Sequence, residues 1–332
     1  MKITVLMGGT SSERNVSLAS GIRIVQALRT KGHKVIALDP ARGVIDAAQE
    51  KELSTGTVGT APPSQESLLK VAEGAFLPNL TTMKEITDAD VVFLGLHGGQ
   101  GEDGTLQALL DMAGVKYTGS GHLSSALAMD KDLSKKLFRA ADVKTADWLM
   151  APATIEQVEG MLDLPVIVKP SKQGSTVGLT LVKKREDLLP AVAEAFKHDD
   201  EVMIERFVPG RELTVGVLGN IVLPVGEIIP KNEIYDYECK YTAGMAVEEF
   251  PAKLSKEATH RVQEQALAAF KSLKLKGCAR IDFRLTTEGE FYCLEANTLP
   301  GMTQLSLIPQ GAAAMGIDFP ELCERITKLA LD

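Results

Sequence analysis

Within the first forty residues the hydrophobic period switches twice, and this switch limits the fold more than any other feature. Ile3, Val5 and Met7 alternate with Thr4 and Leu6, the period-two pattern of a strand. Leu18, Ile22, Val25 and Leu28 then recur at helical spacing, Gly32 stops the helix, and 34–38 reads as a second strand. That is a βαβ opening, whose two strands lie parallel in one sheet. The alternation continues with a buried strand at 91–96, a helix at 105–112, a short strand near 115–117 and a lysine-rich helix at 130–141. Strands at 166–169 and 179–183, a helix at 186–196 and a strand at 202–207 follow. From Arg211 the chain is strand-rich, with one long helix at 256–273 and two short ones after Leu307. The pattern predicts α/β or mixed α+β layers. Residues 41–88 carry only Pro62 and Pro63, scattered Gly and Thr, and a short helical pattern near 68–71, and read as a variable connection.

A chain of 332 residues suits two or three domains. Lys and Arg number 36 against 44 Asp and Glu, a net charge of −8, and this acidic balance excludes a nucleic-acid binder as the leading class. No apolar run approaches the length of a membrane span, so no membrane partner is expected. The N-terminus has no signal-peptide pattern. Cys239, Cys278, Cys293 and Cys323 are irregularly spaced and form no C-x-x-C pair. That argues against a zinc site or a disulfide framework and fits a reducing cytoplasm.

The sharpest chemical signal lies at 278–297. Ile281, Phe283 and Leu285 alternate with Arg280, Asp282 and Arg284; after a turn at 286–289, Tyr292 and Leu294 alternate with Cys293 and Glu295. A hairpin with an even-numbered loop pairs 282 with 293 and 280 with 295. Arg280, Asp282, Glu295 and Asn297 then share one face and the apolar set, with Tyr292 and Leu294, takes the other. Two carboxylates and a carboxamide oxygen suit Mg²⁺, which prefers hard oxygen ligands beside substrate phosphates. The plain alternative is a solvated sheet face with a cross-strand Arg–Glu pair.

Four loops accompany it. At 169–178 a strand ends in Lys169 and enters small hydrogen-bonding residues able to wrap phosphates with backbone N–H groups, without being a Walker A loop. At 8–13 a glycine loop follows the first strand without the G-x-G-x-x-G spacing; Ser12 or Asn15 suits a helix cap there, and Glu13 the helix N-terminus. At 97–104 His97 opens a glycine-rich loop after a buried strand, where α/β sheets bind ligands. At 235–241 three tyrosines surround Lys240, as in a lid.

These segments, in this order, resemble the D-alanine–D-alanine ligase family of the ATP-grasp fold. The matches are GGTSSERNVSL at 8–18, LHGGQGEDGTLQ at 96–107, MDK at 129–131, VKPSKQGSTVG at 168–178, YDYECKY at 235–241, ARIDF at 279–283 and LEANTLPGMTQLSLIP at 294–309. Cys239 stands where an alanine is common and Leu299 where a serine is frequent.

The resemblance implies a three-domain α/β ATP-grasp fold: an N-terminal parallel-sheet domain at 1–119, a central domain at 120–208 and a C-terminal domain at 209–332. It implies ATP-dependent ligation of two D-alanines through an acyl phosphate, for peptidoglycan precursors, in a cytoplasmic homodimer. By motif position Lys131 and Lys169 contact ATP phosphates, Gly174 and Ser175 belong to the loop covering them, and Glu205 reaches the adenine amino group. Phe207 and Val208 form the adenine-side hinge and Glu212 meets the ribose. Asp282, Glu295 and Asn297 hold two Mg²⁺ ions, with Mn²⁺ as an alternative. Glu13 takes the ammonium of the first D-alanine, extended by Ser175 and Tyr241, with His97 nearby. Lys240 and Arg280 neutralise the phosphoryl group. Arg280 and the Gly301 N–H form the oxyanion site, and Ser306 and Leu307 hold the second carboxylate. Tyr241 argues against the ester-forming variant that uses D-lactate, which usually lacks this tyrosine.

Overall fold

The computed structural model describes residues 1–55, 63, 67, 68, 71, 79–232, 235, 240, 242 and 244–331. Its first sheet has the order β3-β2-β1-β4. β1 (Lys2–Leu6) pairs parallel with β2 (Lys34–Asp39) on one side and β4 (Val91–Leu94) on the other, while β3 (Gly43–Val44) runs antiparallel to β2. β4 is buried at every position, which is why it reads as a continuous apolar run instead of an alternation. The expected strand at 91–96 stops at Leu94, and the one near 115–117 is reduced to a single bridge between Val92 and Tyr117.

α1 (Arg14–Thr30) crosses between β1 and β2 and ends at Lys31 and Gly32, whose φ of 80° glycine adopts without a Cβ penalty. The connection at 41–88 contains β3, α2 (Ala47–Thr55) and α3 (Lys84–Thr87). Most of the 68–71 helical pattern lies outside the described residues. α4 (Thr105–Met112) occupies the expected residues.

The expected lysine-rich helix follows, preceded by a helix with a weak sequence signal. α5 (His122–Met129) precedes α6 (Lys131–Ala140), which is capped by the Asp130 side chain accepting the Leu133 N–H. The second sheet runs β5-β8-β6-β7, with β5 (Trp148–Met150), β6 (Val166–Pro170), β7 (Thr180–Val182) and β8 (Val202–Arg206) all antiparallel to their neighbours. α7 (Ile155–Met161) and α8 (Leu188–Ala195) contribute Val158, Leu188, Ala191 and Ala195 to its core. β5 is too short for periodicity, and α7 rests on a Thr154–Gln157 capping box more than on an apolar stripe.

The third sheet has the order β12-β11-β9-β13-β14, with β10 on β9. Its strands are β9 (Arg211–Leu218), β10 (Ile221–Val222), β11 (Gly226–Pro230), β12 (Ala246–Glu249), β13 (Cys278–Leu285) and β14 (Phe291–Asn297). α9 (Lys256–Ser272) packs on one face together with Ala128 and Phe138 of α5 and α6. α10 (Leu307–Ala313) and α11 (Phe319–Lys328) pack back against the first unit, so Ile308, Leu322 and Ile326 share one core with Ile3, Val25 and Leu28. Cys278, Cys293 and Cys323 are free and buried. Among the described residues no helix is long and apolar enough to cross a membrane.

Gly21 is the contact that seats α1 on the sheet. A Cβ there would lie 2.4 Å from the Met7 Cβ and 2.8 Å from its sulfur. Gly21→Ala is expected to destabilise the chain by about 1–3 kcal/mol through overpacking, despite alanine's better helix propensity. Urea unfolding of parent and variant measures the difference; an unchanged midpoint would mean that α1 has room to shift.

Candidate active site

The hairpin of β13 and β14 forms the floor of the site, and its register differs from the expected one. Arg280 faces Asn297 and Asp282 faces Glu295; then the register shifts, and Phe283 faces Cys293. The loop at 286–290 is odd-numbered, with Leu285 opposite Phe291. Phe291 and Cys293 therefore join Phe283 in the core, and Tyr292 and Leu294 lie on the other face, the reverse of the expected apolar set. A β-bulge at Leu294 resets the phase by one residue and returns Glu295 and Asn297 to the face of Asp282 and Arg280. The four polar residues share a face because of the bulge, not because of simple alternation.

On that face Asp282 is tightly held. Arg280 donates from Nε and Nη2 at 2.9–3.1 Å, Thr214 Oγ1 donates at 2.7 Å and Asn297 Nδ2 at 3.1 Å. Burial alone would lower the Arg280 pKa, but the Asp282 charge beside it raises it, so the guanidinium stays charged. Glu295 lies 3.2 Å from Lys131 Nζ. Burial pushes its carboxyl up, yet Lys131, Lys240, Lys169 and Arg280 together hold it down at about 2.

Two adjoining cavities open above the hairpin. Lys131, Gln173, Ser175, Tyr235, Lys240, Arg280 and Glu295 line both and form the wall between them. The first is further lined by Glu13, His97, Gly174, Asn297, Gly301, Ser306 and Leu307, the second by Lys169, Glu205, Phe207, Val208, Glu212 and Asp282. Every residue given a ligand, metal or catalytic role from the sequence thus lines one cavity or both, except Tyr241, which lies outside the described residues. Lys240 sits over the Tyr235 ring at 5.5 Å.

In the second cavity Glu205 accepts from two lysines, Lys169 Nζ at 2.6 Å and Lys135 Nζ. Burial pushes the carboxyl up, but Lys135 and Lys169 hold it at about 2. Lys135 is wholly buried, also donates to Thr145 Oγ1 at 2.5 Å, and lies 5.0 Å from the Trp148 ring centroid. It was not singled out from the sequence, although it stands four residues after Lys131 on the same helical face. Arg284 was missed too: it bonds Glu212 Oε2 and the Val208 carbonyl, both at 3.1 Å, and lies over the Phe207 ring. Its place on the polar phase of β13 could have revealed it.

In the first cavity Glu13 stands at the N-cap position of α1 but makes no cap. Its Oε1 accepts instead from Ser175 Oγ, and a Cβ on Gly174 would lie 2.5 Å from its Oε2. Ser175 and Thr176 have φ of 50° and 59°, a left-handed pair in which the β-branched threonine is strained. Lys131 Nζ fastens this loop through the Gln173 carbonyl at 2.8 Å.

His97 is buried, with Nδ1 2.8 Å from the Leu299 carbonyl and Nε2 3.0 Å from Ser20 Oγ. Burial lowers its pKa, so the neutral ring donates from Nδ1 and accepts at Nε2. Glu102, unremarked within its motif, accepts the N–H groups of Gly98 at 2.9 Å and Leu299 at 3.1 Å.

Residues 2–120 match the family described as "D-ala D-ala ligase N-terminus", and residues 131–328 match "D-ala D-ala ligase C-terminus". The chain belongs to the D-alanine–D-alanine ligase family. It is 41% identical to the D-alanine–D-alanine ligase of Geotalea uraniireducens over 99% of this chain and 95% of that one. It is 40% identical to that of Aquifex aeolicus over 97% of this chain and 98% of that one. The crystal structure of D-alanine–D-alanine ligase from Bacillus anthracis complexed with ATP superposes with a TM-score of 0.78 at 30% identity, covering 100% of this chain and 97% of that chain. VanG D-Ala:D-Ser ligase from Enterococcus faecalis gives 0.80 at 30% identity, covering 99% and 98%.

The hard-oxygen donors of this ligase-family hairpin fit Mg²⁺. Among the described residues no three His, Cys, Asp or Glu side chains converge on one metal position. Two carboxylates in register beside a carboxamide are instead the partial set that Mg²⁺ completes with phosphate oxygens.

The Glu102 carboxyl is pushed from its ordinary 4.5 up to about 7, first by burial and then by the charge of Glu13. The folded chain therefore keeps a proton there at pH values where the unfolded chain has lost it. This stabilises the fold at low pH, and the effect fades as pH rises through about 7. Unfolding free energy should lose on the order of 3 kcal/mol between about pH 5 and 8 from this group. Unfolding free energies of parent and Glu102→Gln, from urea titrations across that range, should diverge by this amount; parallel curves would place the carboxyl at an ordinary value.

Proposed function

We propose that this chain joins two D-alanine molecules to D-alanyl-D-alanine, with ATP cleaved to ADP and phosphate, through a D-alanyl phosphate. The observation that carries this reading is the shared wall. A triphosphate in the second cavity and an amino acid in the first would meet across Lys131, Lys240, Arg280 and Glu295. The product would serve as a peptidoglycan precursor. Division into domains at 1–119, 120–208 and 209–332, a cytoplasmic location and a homodimer belong to the same reading and rest on family resemblance.

A carboxylate is a poor acyl donor, so it must first be activated. Glu13, with Ser175 and Tyr241, takes the ammonium of the first D-alanine and turns its carboxylate toward the wall, with His97 behind it. Glu205 accepts from the adenine amino group, Phe207 and Val208 flank the base, and Glu212 receives the ribose. Lys131 and Lys169 hold the phosphates under the 174–177 loop. A carboxylate oxygen attacks the γ-phosphorus, and the bond to the bridging oxygen of ADP breaks. Lys240 and Arg280 balance the charge in that transfer. Asp282, Glu295 and Asn297 would hold Mg²⁺, two ions by resemblance and exchangeable for Mn²⁺, which supplies further charge neutralisation on the phosphates.

The second D-alanine places its carboxylate at Ser306 and Leu307, where α10 begins. Its amine attacks the acyl carbonyl, Arg280 and the Gly301 N–H stabilise the resulting oxyanion, and phosphate departs with the original carboxylate oxygen. The loop at 171–177 would exclude water from the acyl phosphate, together with the expected lid around Lys240, much of which lies outside the described residues.

Three measurements test this. Phosphate release should require D-alanine, with D-serine, D-lactate and L-alanine poor in its place, and D-alanine carrying ¹⁸O in its carboxylate should deliver label to the phosphate. Dipeptide formed with unlabelled phosphate would remove the acyl-phosphate route. Glu295→Gln should keep the fold and lower turnover by about 10²–10³, with a raised Mg²⁺ requirement. Near-parental turnover at low Mg²⁺ in the folded variant would remove Glu295 from the metal set.

A further inference from the structure

We propose that Ser20 and Arg23 of α1 are positioning residues that aim the Gly301 N–H into the first cavity. The inference rests on the oxyanion reading of Gly301 given above. It comes from the way the turn between β14 and α10 is held from outside its own sheet.

Both peptide groups flanking the Pro300–Gly301 unit are pinned by the N-terminal part of the chain. The Leu299 N–H donates to Glu102 Oε1 at 3.1 Å, and the Leu299 carbonyl accepts from His97 Nδ1 at 2.8 Å. The Met302 N–H donates to Ser20 Oγ at 3.1 Å, and the Met302 carbonyl accepts from Arg23 Nη1 at 2.8 Å. Ser20 is fully buried and links the two ends, because its own O–H is free to donate to His97 Nε2 at 3.0 Å. Arg23 is fixed in turn by the Phe319 ring of α11, 4.3 Å from its guanidinium carbon.

This arrangement leaves a single unclaimed donor. Within 299–302, the Leu299 and Met302 N–H groups are taken, Pro300 has none, and the Gly301 N–H has no partner among the described residues. The Gly301 peptide lies between two anchored neighbours and lines the first cavity. Neither Ser20 nor Arg23 lines either cavity, so both act through the turn.

A donor that must meet a transient oxyanion depends on placement more than on ground-state contacts. A shift of about 1 Å can cost about a hundredfold in rate. Ser20→Ala and Arg23→Met should therefore lower kcat by about 10- to 100-fold while leaving the KM for ATP within about twofold. The decisive readout is affinity, with ADP present, for a phosphinate analogue of the tetrahedral intermediate. Both variants should bind it at least about tenfold more weakly, while affinity for D-alanine at the Glu13 site stays near the parent's. Arg23→Lys, which keeps a cationic donor, should recover part of the loss.

Retained ATP affinity establishes that each variant is folded. Parental affinity for the phosphinate in folded Ser20→Ala and Arg23→Met overturns the proposal, and so does an equal loss of phosphinate and D-alanine binding. Arg280→Lys separates the two readings: if it binds the phosphinate like the parent, the oxyanion site itself is wrong, whatever Ser20 and Arg23 do.

Discussion

Four cations, Lys131, Lys169, Lys240 and Arg280, crowd the walls of two adjoining cavities, and the surrounding architecture answers that crowding. Like charges at such density repel one another unless each finds a carboxylate. Lys169 and Lys135 share Glu205, Lys131 reaches Glu295, and Arg280 clasps Asp282. The carboxylates are held ionised by the same neighbours, as the low values of Glu205 and Glu295 reflect. Such pairing lets this cluster of cations stand in a chain whose overall charge is negative. It also means that an arriving triphosphate exchanges one set of counter-charges for another and does not enter an unsatisfied hole.

Two sheets and one helix supply those paired charges. Lys169 and Glu205 come from the second sheet, Arg280, Asp282 and Glu295 from the third, and Lys131 and Lys135 from the helix between them. The first unit adds Glu13, His97 and Glu102 from loops that follow its parallel strands, the position where open α/β sheets place ligands. No single unit contains both cavities.

Much of this was legible in the sequence. The βαβ opening, α4 and α9 follow from apolar spacing and clear stops, and the matched motifs carry most of the cavity-lining residues, although Glu205, Phe207, Val208 and Glu212 stand outside them. What stayed hidden had local physical causes. β5 is too short to display a period. The hairpin register turned on the bulge at Leu294, which alternation does not reveal because one extra residue satisfies the same local preferences. Lys135 reads as one more lysine on a lysine-rich helix, and only the packed structure shows it buried against Glu205. Ser20 and Arg23 sit among apolar helix positions, and their partners lie about 280 residues away.

The shared core of α1, α10 and α11 bears on how the chain is made. Ile3, Val25 and Leu28 leave the ribosome long before Ile308, Leu322 and Ile326, which complete their core. Domains synthesised first usually fold first. Here the earliest sheet can form while one flank still lacks its cover, so synthesis must run from Leu28 past Ile308 before that surface can close. Until then the apolar flank of the first unit that Ile308, Leu322 and Ile326 will cover stays open to solvent, a surface for a chaperone to shield.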